Sequence, residues 1–121
     1  MARYVDGFVI PIQKRKLKAY LRMAKLGARL WKDHGALAYV ETVGEDLQVP
    51  FGTGFPKMAR LKAGETVVFA FITYRSRAHR DKVNAAVMKD PRMNAMVTAG
   101  EPMPFDLKRH AMGGFEVLVG W

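Results

Sequence analysis

The chain has 121 residues, half of them hydrophobic and 26% charged, a globular rather than a disordered composition and a length that suits one core and is too short for two. It contains no cysteine, so disulfides, thiolate metal sites and a thiol nucleophile are all excluded. No apolar run approaches the roughly 20 residues of a membrane-spanning helix, and residues 1–12 lack the long apolar segment of a secretion signal. A cytoplasmic protein is therefore expected.

Tyr4 to Ile10 is rich in strand-forming residues, and Pro11 should end the run because proline cannot donate to a ladder. From Lys14 to His34, Leu17, Tyr20, Leu21, Ala24, Ala28 and Trp31 recur at spacings of three and four, which predicts a long amphipathic helix. Gly35 is its stop signal. Leu37 to Val43 reads as the second strand. A loop then begins at Gly44 and runs to about Lys57, its regular structure interrupted by Pro50, Gly52, Gly54 and Pro56. Loops of that length are often functional, so it is a place to look for a lid. Thr66 to Tyr74 is the strongest strand. Ser76 can cap a helix over Arg77 to Lys89, and Asp90-Pro91 supplies a cap and a first-turn proline for a short helical stretch to Val97. A breaker-rich segment, Gly100 to Asp106, leads to a last strand over His110 to Val119. The order β-α-β-β-α-β predicts a single α+β domain spanning residues 1–121, a four-stranded antiparallel sheet with helices on one face.

The third strand is unusual for such a sheet. Val67, Phe69 and Phe71 alternate with Val68, Ala70, Ile72 and Tyr74, so both faces are apolar. The first strand likewise sets Phe8 and Ile10 against Val5 and Val9. Two helices cover one face only, and a large apolar patch is rarely left open on a monomer. A homodimer joined through its sheet faces is the expected remedy.

The runs Tyr4-Val5-Asp6-Gly7-Phe8, Tyr74-Arg75-Ser76-Arg77-Ala78, Asp90-Pro91-Arg92-Met93, Met103-Pro104-Phe105-Asp106 with Lys108-Arg109, and Gly113-Gly114-Phe115-Glu116-Val117 resemble the YbaA-like family of bacterial proteins of unknown function. The resemblance covers almost the whole chain, and it departs from the family pattern at Ala111, where an aromatic residue is expected. It implies the dimeric α+β barrel group, ferredoxin-like in fold with sheets facing across the dimer. That group includes cofactor-free monooxygenases, haem-degrading enzymes and amino-acid-binding regulators, so the fold selects no activity.

Polar side chains on strands are the natural site candidates, since a charge aimed into an apolar interior is costly unless it is paired or used. Asp6, Glu41, Thr73, Arg75 and Glu116 qualify, with Tyr39 as an aromatic wall and His34 at the helix end. Together they could bind a small organic ligand or hold a carboxylate as a base. Tyr20, Trp31, Phe69 and Phe71 add aromatic surface, although aromatics at core spacing usually are core. The three histidines show no metal-ligand spacing, so no metal and no cofactor are expected. Nucleophile-elbow, phosphate-loop and dinucleotide motifs are absent as well.

The charge is concentrated in the first helix, where residues 13–34 carry +7 of the net +9. At 100° per residue, Lys14, Lys18, Arg22, Lys25, Arg29 and Lys32 form one stripe, which reads either as a solvated face or as a track for nucleic-acid phosphates. No aromatics for base stacking are interleaved with it. The leading expectation is a small-molecule-binding domain or cofactor-free enzyme. An RNA-binding or ribonucleoprotein-associated domain is the alternative, and an assembly protein without a ligand is the third.

Overall fold

The structure is a computed structural model that describes residues 2–98 and 103–121. Its elements are β1 (Tyr4–Gln13), α1 (Leu17–Asp33), β2 (Ala38–Val43), α2 (Phe55–Met58), β3 (Glu65–Tyr74), α3 (Arg77–Lys89), α4 (Pro91–Thr98) and β4 (Ala111–Glu116), with short 3-10 turns before α1 and β4. The strands form one sheet in the order β2-β3-β1-β4, every neighbouring pair antiparallel.

Two strand boundaries differ from expectation for a common reason. Pro11 does not end β1, which continues to Gln13 and pairs Pro11 with Val67. Amide direction alternates along a strand, and Lys14 donates to Gly64 next to β3. Pro11 therefore faces the other side, where pairing with β4 has already stopped at Val9 opposite Ala111, and its missing N–H removes nothing. β4 is shorter than expected because β1 begins at Tyr4, opposite Glu116. Val117 donates one last bond to Arg3, and Leu118 and Val119 then stand 91% and 93% exposed.

The helix boundaries follow from their caps. α1 stops where Gly35 takes a φ of 102°, and Ala36 donates back to the carbonyl of Trp31. Ser76 Oγ accepts from the backbone N–H of His79 at 3.1 Å and opens α3. Pro91 pushes Asp90 into the extended region (ψ 132°), separating α3 from α4, and the Asp90 carboxylate accepts from the Arg92 N–H at 2.8 Å. Of the breaker-rich stretch expected at 100–106, residues 100–102 lie outside the described residues. No described helix is long and apolar enough to cross a membrane.

The three longer helices α1, α3 and α4 all pack on one face of the sheet, and the single turn of α2 lies against the other. Ile10, Ile12, Val68 and Ala70 join Tyr20 and Ala24 of α1 in one buried cluster. Ile72 and Tyr74 join Leu30, Val83, Val87 and Met93 in a second, and Phe8 touches both. On the opposite face lie Val5, Val9, Phe69, Phe71 and Phe115. The Phe115 ring covers Gly7 and Gly113 but remains 60% exposed, and Phe69 is 45% exposed. Val67 on this face is buried, and Phe55 at the end of the long loop meets the Phe69 ring edge-on at 6.4 Å. The far end of that loop is tied down by Arg109, which donates to the Glu65 carboxylate at 2.6 and 2.8 Å and to the carbonyl of Arg60 at 2.8 Å. These bonds hold the Glu65 carboxyl at about 2, well below its ordinary range.

Candidate functional site

Register places two rows of side chains beneath the helices. Glu41, Ala70, Phe8 and Met112 form one, and Tyr39, Ile72, Asp6 and Gly114 form the next. The space over Gly114 is filled by the Tyr4 ring, but Ala70 is small, and α1 faces the same cavity with Ala24 and Gly27. A Cβ at Gly27 would lie 2.6 Å from Tyr39 Oη, so glycine is what lets the helix approach that ring. The small residues leave a cavity of about 390 Å³ between sheet and helices, within the size range of small-molecule sites. Its walls are mainly aromatic and methionine side chains, among them Trp31, Tyr39, Phe105, Met23, Met93 and Met96. None of residues 44–64 lines it, so the long loop is not its lid.

The polar groups of the cavity have unequal support. Asp6, buried, is matched by Arg80 at 2.8 Å, and Arg80 also stacks on Tyr4 with 5.0 Å to the ring centroid. Asn84 extends this corner, accepting from Trp31 Nε1 at 3.0 Å and from the Tyr74 hydroxyl at 3.2 Å. Among the described residues Glu41 has no cationic partner, and its carboxylate accepts from the Tyr20 hydroxyl, 2.6 and 2.9 Å from its two oxygens. Burial raises the Glu41 pKa above the ordinary carboxylate range, against the lowering effect of that hydrogen bond. Burial and the neighbouring Glu41 likewise raise Tyr20 and Tyr39, keeping both phenols protonated.

His110 is the second group without support. Its ring lies between Phe8 and Phe105, with centroids at 5.8 and 5.3 Å, and its buried Nε2 has no hydrogen-bond partner among the described residues. Burial lowers its pKa and favours the neutral imidazole. An orphaned polar atom on a cavity wall is the kind of group a ligand satisfies.

The site candidates named from sequence do not come together. Asp6, Tyr39 and Glu41 line the cavity. His34 caps α1 and pairs with Asp90 at 2.8 Å, joining α1 to the α3–α4 corner. Arg92 also holds Asp90, and the two hydrogen-bonding partners drive the Asp90 carboxyl strongly down. Arg75 lies just beyond β3, where its backbone N–H donates to His79 Nδ1. Glu116 ends β4, exposed beside Arg75 at the sheet's rim. Conversely, sequence reasoning missed His110, Arg80 and Asn84 and treated Tyr20 only as an aromatic. The signal for Tyr20 was a hydroxyl on the buried stripe of a helix, which must find a partner. His110 carried no such signal. Among the described residues, no group of three or more histidine, aspartate or glutamate side chains is placed to hold a metal ion. Lys14, Lys18, Arg22, Lys25, Arg29 and Lys32 are all exposed, pointing away from the cavity.

With this geometry in view, comparison with known proteins defines the kinship. Residues 3–107 match the family described as "Protein of unknown function (DUF1428)". The chain belongs to that family. It is 42% identical over 117 residues to the uncharacterized protein YbaA of Escherichia coli K12, covering 97% of both chains, and equally similar to the Shigella flexneri protein of that name. A solved structure from an uncultured marine organism, described as a dimeric ferredoxin-like protein, superimposes with a TM-score of 0.58 over 98% of this chain and 99% of its own, at 12% identity. The fold is therefore ferredoxin-like, and the YbaA-like resemblance read from the sequence motifs holds.

The unmatched carboxylate has a stability signature. A carboxyl whose folded pKa is raised costs nothing below its unfolded pKa and destabilises progressively as pH rises above it. Glu41→Gln keeps an acceptor for Tyr20 and removes the charge. It should match the parent's thermal midpoint near pH 4 and exceed it at about pH 8. A variant less stable at both pH values would show that Glu41 is structurally supported.

Proposed function

We propose that this protein binds a small organic molecule in the cavity between its helices and its sheet. The observation that carries the reading is the orphaned Nε2 of His110 on the wall of the same cavity as the unpaired Glu41. A buried nitrogen without a partner costs about 1–3 kcal/mol, which a donor on a ligand at His110 Nε2 would offset. The aromatic and methionine lining offers an adaptable apolar surface, and the few polar groups would fix a ligand's orientation. A catalytic role is a narrower version of this reading: a carboxylate with a raised pKa on the wall of an apolar cavity could act as a general base without a cofactor.

The reading is checked by titrating small aromatic and aliphatic compounds into the full chain and following amide and side-chain NMR signals. Shifts should centre on Trp31, Tyr39, Glu41 and His110. His110→Phe, which keeps a ring but removes the acceptor, should weaken binding several-fold. Shifts confined to the outer surface, or none, would contradict the cavity as a site.

The partly covered sheet face supports a homodimer in the same proposal. Val5, Val9, Phe69, Phe71 and Phe115 make it apolar, Phe55 of the long loop extends it, and the ferredoxin-like neighbour is described as dimeric. A two-fold pairing would bury the same patch on both copies. In sedimentation the parent should run as a dimer, and Phe69→Glu, which sets a charge in that face, as a folded monomer. A monomeric parent at micromolar concentration would contradict this.

A second reading has one observation in its favour. None of the six exposed cations of the α1 stripe has an ion-pair partner among the described residues, which leaves all six available to phosphates. If that stripe binds RNA, affinity must fall steeply with salt, about 0.7 log units per log unit of salt for each phosphate neutralised on a single strand. Salt-insensitive or absent binding retires it.

A further inference from the structure

The charge balance of the cavity is opposite to that of the molecule around it. The chain carries a net +9, yet no lysine or arginine is among the described residues lining the cavity, where the two ionisable acids are Asp6 and Glu41. Asp6 is neutralised from outside the cavity wall by Arg80 at 2.8 Å. No described residue neutralises Glu41. One phenol donates to it, and a carboxylate with four lone-pair positions retains acceptor capacity that no described residue uses. A half-buried charge in this condition carries a desolvation cost that a pairing cation would offset.

The lining is also of the type that accommodates positive charge. Trp31 and Tyr39 lie with ring centroids 5.9 Å apart and planes inclined by 40°, and Tyr20 and Phe105 meet edge-on at 5.7 Å. Aromatic faces attract a desolvated organic cation. Methionine thioethers are soft and polarisable and pack around irregular apolar bodies. Neutral His110 does not repel a cation, and in the tautomer protonated on Nδ1 its Nε2 offers a further acceptor. An anionic ligand would meet the opposite conditions, an unpaired carboxylate and no basic side chain.

We infer that the cavity selects an organic ammonium ion with an apolar body, its charged head on the unoccupied acceptor positions of Glu41 and its body against the aromatic and methionine wall. This rests on the small-molecule reading of the cavity and adds the chemical class. It also explains why a strongly basic protein would carry an unmatched acid in its interior. The carboxylate is matched when the ligand is present.

The test uses three probes of similar shape and different charge, 2-phenylethylamine, 2-phenylethanol and phenylacetate, titrated calorimetrically into the full chain at neutral pH, with NMR shifts to locate each. The ammonium should bind in the cavity about tenfold or more tighter than the alcohol, and phenylacetate should not saturate. Glu41→Gln should abolish the advantage of the ammonium over the alcohol. Equal or tighter binding of the alcohol or the acid by the parent overturns the ammonium assignment and leaves the cavity reading standing. So does undiminished amine binding by Glu41→Gln. The probe series on the unmodified protein decides this even if the variant folds poorly. Failure of all three probes to shift any cavity signal overturns both the assignment and the reading on which it rests.

Discussion

β1 and β3 run side by side for ten residues each through the centre of the sheet, and side chains on both faces of both strands are apolar. A strand of this kind cannot be satisfied by one layer of helices. Ile10, Ile12, Val68, Ile72 and Tyr74 are driven under α1, α3 and α4 and become almost fully buried. The same alternation drives Val5, Val9, Phe69 and Phe71 to the far side. Everything else in the molecule is arranged around that pair: β2 and β4 protect their outer edges, and Arg109 with Glu65 fastens the long loop at the end of β3. The far face is covered only in part, with Val67 buried at one end and Phe69 and Phe115 left 45% and 60% exposed. Burying apolar surface contributes about 25 cal/mol per Å², so a partly open sheet face of this composition is a strong driving force for a second layer.

Inside, packing is relaxed at one place. Ala24, Gly27 and Ala70 stand where larger residues would close the space between α1 and the sheet, and the gap they leave has an acid at one side and an orphaned imidazole nitrogen on its wall. The opposite corner is built differently. Arg80, Asp6, Asn84, Trp31 and Tyr74 form a network in which each polar group has a partner. The contrast between the two ends gives the functional reading its weight. The fold is able to satisfy buried polar groups and does so for Asp6, yet leaves Glu41 and His110 incomplete. Natural proteins give up local stability in this manner chiefly where a ligand completes the arrangement.

Much of the architecture was legible because it rests on local rules. Alternation revealed the two-faced strands, the threefold and fourfold spacing of Leu17, Tyr20, Ala24 and Trp31 revealed α1, and Ser76 and Asp90-Pro91 marked the ends of α3 and α4. The errors fall where a neighbouring strand decides. Pro11 is tolerated because β4 has already left its side, and β4 ends where β1 begins, neither of which is written in the segment itself. The site was legible only in part for the same reason. Asp6, Tyr39 and Glu41 reach the cavity through strand parity, which can be counted along a sequence. Arg75 and Glu116 satisfy the same chemical criteria but fall at strand ends, on the rim. His110 sits in a turn before β4, and only the packing of Phe8 and Phe105 around it buries its nitrogen. His34 was conspicuous in sequence, and its pairing with Asp90 makes it a strut between helices.

The central claim is that the space above Ala70 is a ligand site and not a packing defect. Its most direct test is a crystal structure of the full chain soaked with a cocktail of small amines, alcohols and acids. Density for a bound compound inside the cavity, within hydrogen-bond distance of Glu41 or of His110 Nε2, is the predicted result. A cavity that stays closed around its own side chains, with compounds only on the outer sheet face or on the basic surface of α1, would contradict the account.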